Sequence, residues 1–128
     1  IRTADEVDRT ELQQEVGTLG IAYAPVDKSL KTNMNLDNEE LARLRQLSAE
    51  IATPILEAVV LSDSFQRLDD SMKERVFKNT MRRVRRAAST QFIAENSADP
   101  NFMIRLTNAA KITKGIDKLF GLETPIEE

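Results

Sequence analysis

The residues best suited to chemistry are seven cations inside a stretch of 14 residues: Lys73, Arg75, Lys78, Arg82, Arg83, Arg85 and Arg86. Arg75, Lys78, Arg82 and Arg86 follow one another at steps of three, four and four, so on a helix they share one face. That face is a cationic line about three turns long, which can track a phosphate backbone or an acidic partner. Arg83 and Arg85 widen it to both flanks. The competing reading is a solvated helix face that pairs with the chain's own carboxylates, since the net charge is −3. No aromatic residues interleave with these cations to stack on bases.

Other chemistry is thinly provided. The chain has no His and no Cys. That excludes an imidazole base, a Ser-His-Asp triad, a thiol nucleophile, a zinc–thiolate site and disulfides. The adjacent acids Glu39-Glu40 and Asp69-Asp70 could suggest metal binding or acid–base work. Both pairs fall at expected helix starts, where carboxylates cap backbone N–H groups. Tyr23 is the only phenol and sits beside Pro25, where packing is the expected role. The Ser and Thr residues lack a base to activate them. No glycine-rich phosphate loop or dinucleotide fingerprint is present. The sequence therefore predicts a non-enzymatic chain with no cofactor and no small-molecule substrate.

The elements that must position the cationic line are helical. Of 128 residues, 41% are hydrophobic and 30% charged, near the norm for soluble globular chains. Four Gly, four Pro and few aromatics argue against a turn-rich β fold. Charge is segregated: residues 1–40 hold nine acids against four bases, and residues 69–95 hold seven bases against four acids. The two segments can attract each other within a chain or between copies.

Residues 3–16 read as a short helix with Thr3 and Glu6 at capping-box spacing. Residues 17–36 read as an extended connection, because Gly17, Gly20, Pro25 and Asn33 interrupt any helical period. Leu19, Ile21, Tyr23, Val26, Leu30 and Met34 recur along it. Either it is pinned to its own domain's core, or it is an arm whose apolar residues contact a neighbouring subunit.

Asp37 and Glu40 then form a clear capping box, with Leu36 and Leu41 as a hydrophobic staple. Leu41, Leu44, Leu47, Ile51, Ile55, Ala58 and Val59 follow at helical steps. Pro54 predicts a kink or a junction of two helices. After it, Ile55, Leu56, Ala58, Val59, Val60 and Leu61 are apolar nearly all round, which predicts the buried centre of the fold. Ser62-Asp63-Ser64 supplies a stop and a new cap for a short turn carrying Phe65 and Leu68, and Asp69-Asp70-Ser71 caps the basic helix over about 72–93. Met72, Val76, Thr80, Val84, Ala87, Ala88 and Phe92 fall on or near one face of it. Asp99-Pro100 starts a last helix, weakened at Gly115 and stopped by Gly121. The expectation is an all-α, small multi-helix bundle with a kinked central helix, a long extended N-terminal connection and a C-terminal helix. The N-terminal helix and arm occupy 1–35, the bundle 36–122 and a polar tail 123–128.

Three stretches together resemble a helical domain of bacteriophage large polyvalent proteins, also met in internal virion (ejection) proteins. They are residues 36–40, Leu61-Ser62 with Phe65, Leu68 and Asp70, and the run Arg82-Arg83-Val84-Arg85-Arg86-Ala87-Ala88. The resemblance covers roughly 36–90 and carries no catalytic residue. It implies a structural or assembly module whose partners are other copies or other virion proteins, and packaged DNA at the basic helix. It implies a virion or host-cytoplasm location. The chain shows no signal peptide and no apolar run near the ~20 residues of a membrane span. Its start at Ile1 reads as a processed chain or a segment of a longer one.

Overall fold

The computed structural model describes residues 24–122. The expected helix at 3–16, the tail at 123–128, and Leu19, Ile21 and Tyr23 lie outside the described residues. Within them the protein is all-α, with six helices and no strand: α1 (Asp27–Met34), α2 (Asn38–Val60), α3 (Asp63–Gln66), α4 (Asp70–Asn96), α5 (Pro100–Thr113) and α6 (Ile116–Leu119).

Helix α1 is a departure from the expected extended connection. Asp27 lies in its first turn and Lys31 in its last, each matched to the helix dipole. Leu30 and Met34, four residues apart, are both buried. Asn35 then takes the left-handed conformation, φ 58°, and ends the helix. Asn33, which reads as a breaker, is held inside the helix by donating to Ser29 Oγ at 3.2 Å. Leu30 is fully buried in the same core as α2, α5 and α6. It therefore belongs to its own domain and is not a subunit contact, and the bundle begins at α1 rather than at residue 36. Val26, 38% exposed, keeps a partly open side chain.

Helix α2 starts on the expected capping box: Glu40 N–H donates to Asp37 Oδ1 at 2.8 Å, and Asp37 N–H donates to Glu40 Oε1 at 3.1 Å. It runs as one helix through Pro54. Pro54 is exposed, so the carbonyl it leaves without a donor, that of Glu50, lies on the side open to water. The helix therefore needs no break there.

α2 and α4 form a long antiparallel pair. Arg43 near the start of α2 bonds Glu95 near the end of α4 at 2.9 and 2.7 Å. The larger core lies at this end, where Leu41, Leu44 and Leu47 meet Phe92, Phe102, Leu106, Leu119 and Phe120. Phe92 and Phe102 meet edge to face with centroids 5.5 Å apart. At the other end, among the described residues, a smaller cluster of Ala52, Leu56, Met81 and Val84 is buried together.

The expected buried centre at 55–61 is not one. Leu56 alone is buried, while Ile55 is 38% and Leu61 44% exposed. Among the described residues, α4 and the one-turn α3 are the elements that pack on α2 here, and they cover its apolar surface on one side. The last helix is also corrected. Lys114 (φ 65°) and Gly115 (φ 144°) break it into α5 and α6. The reversal folds Leu119, Phe120 and Leu122 back into the core.

Candidate functional site

The cationic line is carried on α4, capped by Asp69, whose Oδ1 accepts from Met72 N–H at 2.8 Å. The structure divides its members into three groups. Arg75, Arg82 and Arg83 are exposed and make no ion pair among the described residues. Lys78 pairs with Glu74 at 3.1 Å, and Arg86 pairs across to Asp117 of α6 at 3.4 Å. Arg85 is turned inward and only 6% exposed. It therefore cannot belong to the solvent-facing surface, because its position shares the inner side with Met81, Val84 and Ala88. Burial, with Arg82 nearby, pushes its pKa below the usual arginine range. Arg75, Lys78 and Arg82 do line one shallow polar groove with Ser71, Glu74 and Asn79.

The acid pairs behave as expected at Glu40 and Asp69, both of which cap helices. Glu40 also receives Arg105. Asp27 pairs with Arg45 rather than with the basic helix. Among the described residues no group of three acidic side chains is arranged to hold a metal ion.

A second feature escaped the sequence. Beside the exposed end of α2, an apolar trough of about 400 Å³ is lined by Ala58, Val59, Phe65, Leu68 and Val76, with Ser62 and Ser64 at its edge. Ser62 Oγ is already engaged. It donates to Val59 O at 2.7 Å and accepts from Phe65 N–H at 3.1 Å. That cap turns α3 so that Phe65 reaches the trough. Lys73 Nζ sits over the Phe65 ring, 5.8 Å from its centroid. No titratable side chain lines the trough. The arrangement can bury an apolar group but offers no proton or nucleophile. Its signal in the sequence is the spacing of Val59, Phe65 and Leu68 around two caps.

Ile104 and Ile112 on α5 are also open, 61% and 66% exposed. No helix among the described residues is long and apolar enough to cross a membrane. Compared with protein-family models, with curated proteins and with solved structures, the chain matches none.

Proposed function

We propose that this chain is a non-catalytic assembly module of a phage virion or ejected protein, joining a second copy through the open end of the α2–α4 pair. The observation that carries this reading is the apolar trough with Leu61 beside it, 44% exposed. Ile55 and Met72, each 38% exposed, extend the apolar surface. Contiguous apolar surface of this kind marks contact sites. A second copy suits it because residues 63–75 carry charges of both signs, Asp63, Asp69 and Asp70 with Arg67, Lys73 and Arg75, so a two-fold partner can set acid against base. The resemblance of 36–90 to the phage domain supports the virion setting.

The test is mass in solution by light scattering as concentration rises. The expected result is a dimer that Leu61→Glu returns to monomer without loss of helicity. A parent that stays monomeric at high concentration overturns the reading.

Arg75, Arg82 and Arg83, exposed and without an ion pair among the described residues, favour a second reading, contact with packaged nucleic acid. It requires DNA binding that weakens steeply with salt and falls in the Arg75→Ala/Arg82→Ala/Arg83→Ala variant. Equal binding by that variant removes it.

A further inference from the structure

The polar groove on α4 is built from one face of a single helix. Ser71, Glu74, Arg75, Lys78, Asn79 and Arg82 line a shallow volume of about 240 Å³. Ser71, Arg75, Lys78 and Arg82 follow at steps of four, three and four, which places them on one helix face. From Arg75 to Arg82 the helix rises about 10 Å. Phosphates of one duplex strand repeat about every 3.4 Å along the axis, so the groove is about three phosphates long.

The structure separates this groove from the other cations of α4. Arg83 does not line it. One residue beyond Arg82, it is turned about 100° round the helix, toward the side of Val76 and the trough. Arg86, the next step along the line, is held by Asp117. Among the described residues no aromatic ring lines the groove, so bases have nothing to stack on. Its donors are three cations, the Ser71 hydroxyl and the Asn79 amide. Such groups meet the free oxygens of a phosphodiester and carry no base readout of their own. Glu74 works against them. It lines the same groove and bonds Lys78 at 3.1 Å, so it repels a phosphate and offsets one cation.

We propose that this face of α4 is a sequence-independent seat for the backbone of duplex DNA, with Glu74 holding its affinity down. The proposal rests on the nucleic-acid reading above and names the site and the form of its ligand.

The test measures binding of the full chain to a short labelled duplex by fluorescence anisotropy across a salt series. Three phosphate contacts predict a log–log slope of about −2.7, a loss of about 40-fold between roughly 50 and 200 mM salt. A duplex of unrelated sequence is expected to bind equally, and the single strand and polyglutamate more weakly. Arg75→Ala and Arg82→Ala are each expected to flatten the slope by about 1, and Arg83→Ala to leave it unchanged. Glu74→Gln is expected to tighten binding about fivefold. All four positions are exposed, so these variants keep the fold, which circular dichroism checks. If the duplex does not bind, the nucleic-acid reading and the seat both fall. If it binds but Arg83→Ala costs as much as Arg82→Ala, or Glu74→Gln fails to tighten it, that reading stands and the seat is overturned. Equal or tighter binding of the single strand or of polyglutamate also overturns the seat.

Discussion

Arg105 and Glu40 are joined by two hydrogen bonds, 3.2 and 3.0 Å, that tie the middle of α5 to the first turn of α2. Arg105 also donates to the carbonyl of Asn35 at 3.3 Å, at the end of α1. One guanidinium thus fastens three helices, and the bonds to Glu40 raise its pKa. Its side chain is 27% exposed and that of Glu40 20%, so solvent screens the pair only in part. Glu40→Gln is expected to lower stability by about 1–2 kcal/mol in urea unfolding. A double-mutant cycle with Arg105→Ala separates the pair from the cap that Glu40 also makes. Additive losses would mean the two residues act apart.

The register of α2 after Pro54 gives a paired prediction. Leu56 is 1% exposed and Ile55 38%. Leu56→Ala removes a buried side chain from the small cluster with Met81 and Val84 and is expected to cost about 2–5 kcal/mol. Ile55→Ala is expected to cost less than about 1 kcal/mol. Equal losses would place both side chains in a core, as the sequence pattern alone suggested.

These two residues also show where the sequence was legible. The caps at Asp37 and Asp99 are legible, because each needs only a side chain and a backbone N–H two or three residues away, and within Asp69-Asp70-Ser71 the structure selects Asp69. Leu41, Leu44 and Leu47 were placed inside because a helical period needs no knowledge of the partner. The fate of 55–61 depends on whether another element covers it, and nothing local encodes that. Helix α1 was missed because Pro25 and Asn33 mask eight residues whose stability comes from burying Leu30 and Met34 against distant helices. Arg85 was assigned to the cationic surface by its type. The helical step from Met81 and Val84 to Ala88 places it inward instead. The trough depends on the angle at which Ser62 turns the chain, which residue spacing does not give.

Acid should act at the Arg43–Glu95 pair. The hydrogen bond from Arg43 holds the Glu95 carboxyl below its ordinary range, with a smaller contribution from Gln91. A carboxyl whose pKa is lowered by folding binds its proton less readily in the native state. The stability it contributes is present above the ordinary glutamate pKa and is lost as pH falls through the lowered folded value. Arg43 remains charged throughout this window and adds no titration of its own. The difference in unfolding free energy between parent and Glu95→Gln should therefore shrink as pH drops through the acidic range. A difference independent of pH would show that the pair contributes nothing through its charge.

Gly121 should not accept a side chain. Its φ of 69° suits glycine, and a Cβ there would lie 2.6 Å from Val26 Cγ2. Gly121→Ala combines backbone strain with a clash and is expected to cost about 2–3 kcal/mol. Gly115→Ala meets nothing within 4 Å, although its φ is 144°. It is expected to cost less, about 1–2 kcal/mol, from the backbone alone. Thermal unfolding of both variants checks the order, and a larger loss at Gly115 would contradict the close approach at Val26.

Ser48 gives the opposite sign. It lies on the buried side of α2 at 0% exposure, and its Oγ has no hydrogen-bond partner among the described residues. A serine in mid-helix normally turns its hydroxyl to the carbonyl one turn earlier, as Thr53 does to Ala49 at 2.8 Å. Ser48 makes no such bond, so folding strips its hydroxyl of water without replacement. Ser48→Ala removes the stranded oxygen, improves helix propensity and leaves a void of one atom. The desolvation saved exceeds the packing lost, and stability should rise by about 1 kcal/mol. Urea unfolding with an unchanged slope checks this, and a loss of stability would mean that the hydroxyl is satisfied in solution.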